Sequence, residues 1–400
     1  MDAFNYKYMD ELFLENYKAM DQMTICEDRE LRVEIVENGT VLPYKVVNGE
    51  KRAGVVNENG EYIELSGFDA ISPVDQWGGS YEPEEKPAMI DEEVVYFGRF
   101  WKHWGHFLMD MVSRMWYVMD KETSCRIVYD SQMEMEGVYL EFLHLLGIKT
   151  EQLIRVDKPT RFRKVIIPEC SHKPGISCNQ KYKEIFDRVA ENALVNFEKP
   201  DLYKGRKIYF TRRQLNLRVP LEIGEGEIEE LFQRNNYLIV APEKHSLSEQ
   251  IAMLRQADTI ACIAGTLPHN MMFAKDGTRL VIIRKTNKPN YRQVDVNAIR
   301  SLNVTNVDAH ISLKAVGPAG PFIVDYNRNV MNYFRDNHMV CDSIGIKQHL
   351  RRLKKLLWYI PVYILRNRNA KREVPLYDGR GFSTTETAKK ELFRFYIKRL

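Results

Sequence analysis

The chain has little of what marks a secreted, membrane-spanning or metal-dependent protein. Its six cysteines (Cys26, Cys125, Cys170, Cys178, Cys262 and Cys341) form no Cys-x-x-Cys pair and no Cys/His cluster at zinc spacing. This predicts free thiols in a reducing compartment and no structural metal. The longest apolar run, Leu356 to Leu365, is about half of the roughly 20 residues that a bilayer span requires, so no transmembrane helix is expected. Met1 to Glu15 has neither a basic start nor an apolar run nor a cleavage site, which points to a cytoplasmic location. The sequons at Asn38 and Asn303 then carry no meaning. Internal repeats and low-complexity tracts are missing as well, and solenoid and linker readings fall away.

What is present suffices for a sizeable core. Four hundred residues, 44% of them hydrophobic and 11% aromatic, suit two domains rather than one. The net charge of +3 is unevenly placed, because residues 346–372 carry nine Lys and Arg and no Asp or Glu. The remainder is slightly acidic, so no nucleic-acid partner is expected and the basic character belongs to a tail. That tail surrounds an aromatic-rich apolar segment with cations. It predicts either a peripheral contact with an anionic membrane surface or a helix packed back on the body with a solvated basic face, and Pro361 is expected to interrupt it.

Asn-Gly turns at Asn38-Gly39, Asn48-Gly49 and Asn59-Gly60 predict hairpins in a strand-rich entry region before residue 95. A helical period follows over Trp104–Met119, then strands near 125–129 and 164–167 with a helix near 138–146 between them. Residues 180–197 form a helical stretch able to bridge two domains, and Lys199-Pro200 makes a boundary. Beyond it, strands at 207–211, 237–241, 259–264 and 279–284 alternate with helices at 225–235, 246–257 and 267–274. This alternation predicts an α/β doubly wound sheet, which binds ligands at the carboxyl ends of its strands. The expected division is 1–198, 199–345 and a tail of 346–400.

Four places could carry chemistry. Arg212 and Arg213 arrive just past a buried strand, and the guanidinium fork suits bidentate phosphate contacts, although a solvated basic loop has the same composition. At Ala264-Gly265-Thr266-Leu267-Pro268-His269-Asn270 an apolar strand meets a helix start, where Thr266 can cap and backbone N–H groups can hold an anion; many such turns bind nothing. Ser246 and Glu249 match a capping box, and Glu249 is alternatively a ribose ligand. On a regular helix His106, Asp110 and Arg114 would form one polar stripe opposite Phe107, Leu108, Met111 and Met115. A carboxylate one turn from an imidazole fits a general base, a chain of polar pairs fits a helix stabiliser, and His103, His106 and Asp110 could also ligate a metal.

These segments, in this order from about Phe97 to Arg284, resemble glycosyltransferase family 61, which includes bacterial capsular and exopolysaccharide transferases. The motifs are His103-Trp104-Gly105-His106-Phe107-Leu108 with Arg114 and Trp116, then Tyr209-Phe210-Thr211-Arg212-Arg213, then Pro242 to Gln250, and last Ala257-Asp258 through Gly265 to Ala274. The chain departs from the family at Ala264 to Asn270, where a leading His and one Gly of a His-Gly-Ala-Gly-Leu-Thr-Asn-like turn are missing. It departs again at Gly224-Glu225, where Asn-Glu is usual. The resemblance implies a GT-B-like architecture of two Rossmann-like domains facing a cleft and transfer from a nucleotide-sugar donor to a saccharide acceptor with inversion. It implies diphosphate against Arg212, Arg213, Gly265 and Thr266, with His269 and Asn270 in the same donor-binding turn, ribose near Glu249, and His106 as base, oriented by Asp110, with Glu225 in reserve. No Asp-x-Asp motif occurs, so no metal or other cofactor is expected. A pyruvyltransferase on the same scaffold and a noncatalytic saccharide- or nucleotide-binding module are the alternatives.

Overall fold

The computed structural model describes residues 4–9, 14, 17, 25–119, 125–195, 197, 201–215, 222–286, 290–311 and 320–370. The Lys199-Pro200 boundary and the tail beyond residue 370, with Lys371 and Arg372, lie outside them, as do the side chains of Arg366 and Arg368.

The second half is built on a six-stranded, all-parallel sheet in the order Phe4–Tyr8, Asn303–Asp308, Arg279–Arg284, Thr259–Ile263, Lys207–Phe210, Tyr237–Val240. Its central strands read as continuous apolar runs because both faces are covered, as parallel sheets require. Two edge features were not foreseen. The strand Asn303–Asp308 extends the sheet, and Phe4–Tyr8, expected in the first half, closes its far edge.

The first half departs further from a doubly wound unit. A parallel core of Thr160–Pro168, Ala88–Arg99, Arg126–Asp130 and Leu153–Val156 continues into antiparallel strands Val33–Glu37, Thr40–Val47 and Glu50–Val56 of the same sheet. The entry region is therefore part of this sheet. Asn48-Gly49 makes the expected hairpin, with both residues at positive φ. Asn38-Gly39 does not, since Val33–Glu37 and Thr40–Val47 both pair with Thr160–Pro168 and a Cβ on Gly39 would stand 2.9 Å from Val165.

The helix Gln180–Val195 bridges the halves. Tyr182, Ile185, Phe186, Val189, Ala190 and Ala193 recur at helical spacing on its buried face. Phe186 meets Phe142 of the first half and Phe273 of the second, with ring centroids 5.8 and 5.3 Å away. One apolar core consequently runs from Phe107 and Leu108 to Leu254 and Met272.

The basic tail begins as a helix, Ile346–Ala370, which continues through Pro361 rather than breaking there. Pro361 and Leu357 both lie on the exposed face, so water can serve the carbonyl that proline leaves unbonded. The opposite face buries Leu356, Tyr359 and Val362. Lys355 is paired with Glu227 and Asp325, Arg352 with Asp325 and Arg351 with Glu227, so much of the tail's charge is spent on the body.

Candidate active site

The strand order of the second sheet fixes where a ligand can sit. The chain leaves Lys207–Phe210 for Tyr237–Val240 on one side and returns to Thr259–Ile263 on the other, which puts a topological switch point between Lys207–Phe210 and Thr259–Ile263. Phe210 and Cys262 are register partners, so the segments that follow them, Arg212 and Gly265, emerge side by side at the carboxyl edge. An arginine nitrogen of Arg212 lies 3.9 Å from where a Cβ on Gly265 would stand, and Gly265 has φ +146. Only glycine adopts that backbone readily, and the missing side chain keeps the space before Arg212 open.

Arg212 is held from behind by Glu225, which begins the helix Glu225–Arg234. A Glu225 carboxylate oxygen accepts the Arg212 backbone N–H at 2.9 Å and the hydroxyls of Tyr209 and Thr211 at 3.3 and 3.4 Å. Burial pushes its pKa up to about 7, against the downward pull of the Arg212 N–H. Arg213 turns the other way, donating to Glu229 at 2.8 Å and lying against Gly226. The two arginines are thus not equivalent, and Arg212 alone faces Gly265. Arg212, Glu222 and Glu225 line a cavity of about 650 Å³ that the basic helix closes with Arg351, Lys354, Lys355 and Trp358.

The helical segment of the first half meets this edge through Gly105. A Cβ there would stand 3.0 Å from His269 Nδ1 and 3.1 Å from the Thr266 methyl, so the glycine allows the two halves to touch. Trp104 Nε1 donates to Asn270 Oδ1 at 2.7 Å, and Asn290 Nδ2 lies 3.2 Å from His269 Nε2. His269 is fully enclosed, and burial, helped by the Arg292 charge, lowers its pKa to about 3 and keeps it neutral. His269 and Asn270 therefore fasten the interface between the halves. Thr266 makes no capping bond, contrary to expectation, because the turn opens in αR and Leu267–Phe273 is a 3-10 helix. So short a helix adds little macrodipole for an anion.

His106 stands one step from this contact. Its Nδ1 is 2.5 Å from Asp110 Oδ2, and Asp110 receives Arg292 Nε and an Arg292 terminal nitrogen at 2.8 and 2.9 Å. Burial alone would raise the Asp110 pKa, but the His106 hydrogen bond and the Arg292 charge outweigh it and hold the carboxyl below its usual range. As Asp110 can only accept, Nδ1 is the donating nitrogen of this pair and Nε2 takes no part in it, on a side chain that is 25% exposed. His103 accepts the backbone N–H of His106 through Nδ1 and caps the turn.

The predicted stripe ends at Asp110. Phe107–Met111 is a π-turn, which adds a residue per turn and rotates Arg114 inward, where it donates to the carbonyls of Pro168, Leu65 and Gly67. Glu249 is only half of a capping box: its N–H bonds Ser246 Oγ, while its carboxylate meets Tyr203 at 2.7 Å and His245 at 2.9 Å. The structure seats it against those side chains rather than beside Arg212.

Residues 104–281 match the family model described as Glycosyltransferase 61. Over that segment the chain is similar to glycosyltransferase family 61. No curated protein matches it. The matched segment runs from Trp104 to the strand Arg279–Arg284, and so contains both faces of the contact at Gly105. It stops short of Arg292, a residue of the site that sequence reasoning missed. Arg292 lies on the helix Tyr291–Ile299, capped by Asn290, and also pairs with Asp75 at 3.2 Å. The Asn290 cap was a local signal for that helix, but nothing in the sequence announces a partner 182 positions away.

Proposed function

We propose that this chain is a glycosyltransferase with the GT-B arrangement, takes a nucleotide-sugar donor, and transfers the sugar with inversion to a saccharide acceptor, a lipid-linked surface polysaccharide being the acceptor class. The observation that carries the reading is the meeting at Gly105 of two elements from opposite halves: the Arg212–Gly265 switch point and the helix bearing His106. Donor diphosphate sits against Arg212, with Arg213 at the rim. The acceptor hydroxyl approaches His106, whose Nε2 takes its proton as the oxygen attacks the anomeric carbon. The carbon–oxygen bond to the diphosphate breaks on the opposite side, and its electron pair leaves with the diphosphate, stabilised by the fixed cation. Asp110, itself held by Arg292, orients the imidazole and stabilises its charged form. Glu225 is the reserve base, but three protein donors already converge on it, which suits positioning of Arg212 better. The exposed face of the basic helix gives a peripheral contact with anionic lipid, beside such acceptors.

The test is calorimetric titration with nucleoside diphosphates. Arg212→Ala should weaken binding by about 1.5 to 3 kcal/mol, the worth of a charged hydrogen bond. Unchanged affinity removes Arg212 from the site. Nucleotide binding without transfer from any donor in a panel would instead favour the noncatalytic module.

A further inference from the structure

Three neighbouring strands, Lys207–Phe210, Thr259–Ile263 and Arg279–Arg284, end side by side, and the first two deliver Arg212 and Gly265. The third delivers Lys285. Its Nζ lies 2.5 Å from Glu222 Oε1, and Arg212 Nε lies 3.1 Å from the same oxygen. The three side chains are 10%, 3% and 15% exposed for Lys285, Glu222 and Arg212. One buried carboxylate oxygen is therefore shared by two cations. Nζ also stands 3.4 Å from the absent Cβ of Gly265, so the space in front of that glycine is flanked by Lys285 on one side and Arg212 on the other.

Enclosing an ammonium is costly without an anion. Burial lowers the Lys285 pKa, and the Glu222 carboxylate opposes that shift. A lysine placed only for stability would be matched by its own acid. Here two cations share one oxygen beside a glycine at φ +146, and the atoms nearest to its absent side chain, at 3.4 to 4.0 Å, all belong to those two cationic side chains.

We propose that Lys285 is a donor-diphosphate ligand and that Glu222 is an internal anion which occupies Lys285 and Arg212 until the diphosphate displaces it. The identity of the anion rests on the glycosyltransferase reading above. The two-cation site itself rests on geometry alone. In this role Lys285 supplies a compact charge where Arg212 supplies a fork, so together they reach both phosphates of a diphosphate and only one is needed for a monophosphate. Glu222 keeps the cations solvated in the empty enzyme and sets a competition that the second phosphate wins.

The experiment is calorimetric titration of the full chain with UDP, GDP, CDP, ADP and inorganic pyrophosphate, followed by the monophosphate and nucleoside of whichever base binds. Lys285→Ala should weaken diphosphate binding by about tenfold to a hundredfold while shifting the nucleoside less than about twofold. Glu222→Gln should tighten diphosphate binding several-fold, because it removes the competing charge but keeps the shape. Diphosphate affinity in Lys285→Ala within twofold of the parent, or an equal loss for diphosphate and nucleoside, overturns the assignment. Weaker binding in Glu222→Gln overturns the displacement. A parent chain that binds no nucleoside diphosphate but does bind pyrophosphate refutes the nucleotide-sugar reading and leaves the two-cation site standing. A parent that binds neither refutes both. Melting curves serve as the folding control; should Lys285→Ala not fold, Lys285→Gln, which also removes the charge, carries the same test with the same outcomes.

Discussion

Glu225 and His106 are the two titratable groups on which the proposed chemistry turns, and their surroundings make opposite demands. Glu225 is shut in, and its pKa rises from 4.5 to about 7 because burial disfavours the charge. A carboxyl that holds its proton more tightly when folded contributes stability that is fully present below about pH 4.5 and is lost as pH rises through about 7. The displacement corresponds to about 3 kcal/mol. Denaturant unfolding from pH 4.5 to 8 should show the wild type losing roughly that much relative to Glu225→Gln; parallel pH profiles would mean the carboxylate is already ionised. His106 depends instead on a partner. His106→Ala should lower turnover by roughly 10² to 10⁴ with nucleotide affinity retained, and near-normal turnover would move the base elsewhere. Arg292→Met leaves Asp110 buried without its cation and should cost about 3 to 5 kcal/mol in unfolding. The His106–Asp110 pair was legible from its spacing of four. Arg292 was not, since a contact made by tertiary packing leaves no trace in local pattern.

At the scale of the element, local pattern identified the ladders and misjudged the junctions. Each strand and helix expected between Lys207 and Arg284 lies within a few residues of its place, because buried parallel strands and amphipathic helices have distinct periods, whereas the short strand Glu222–Ile223 and the 3-10 turn Pro242–Lys244 were not foreseen. The stretch Trp104–Met119 has an equally clear apolar period, yet it folds as α, π, 3-10 and α turns in succession. Arg114 explains the irregularity, since only a rotated turn lets its guanidinium reach three carbonyls under the first sheet. Gly105 is the other half of that compromise. Gly105→Ala puts a methyl 3.0 Å from His269 and 3.1 Å from Thr266, so these side chains across the contact must give way by a few tenths of an ångström. A cost of about 1 to 3 kcal/mol in stability is expected, as in overpacked cores, with a larger fall in turnover than in nucleotide affinity. Loss of nucleotide binding alone, with turnover at saturation unchanged, would show that this contact does not align the two halves for reaction.

For the whole molecule the open question is what the basic helix Ile346–Ala370 does beyond bracing the second half. Among the described residues no helix is long and apolar enough to cross a membrane. The inner face is committed, because Asp325 and Glu227 lie against Lys355, Arg352 and Arg351. Removing the helix would strip those acids of their cations, so a truncated chain is a poor test of membrane binding: it should unfold more easily whatever the outer face does. That outer face presents Ile346, Leu350, Leu357 and Trp358 to water together with Lys347 and Lys354. Apolar and aromatic residues flanked by cations suit a headgroup interface, where each cation near an anionic surface adds about 1 kcal/mol. Leu350→Glu with Leu357→Glu alters this face, touches neither the docked side nor the cavity that Trp358 helps to close, and should change stability by no more than about 0.5 kcal/mol per site. In co-sedimentation at low salt the parent should pellet with phosphatidylglycerol vesicles and not with phosphatidylcholine alone, and the double variant should stay in the supernatant. If the parent also stays in the supernatant, or the variant pellets equally, the helix is a brace and the acceptor must reach the enzyme without the help of the membrane surface.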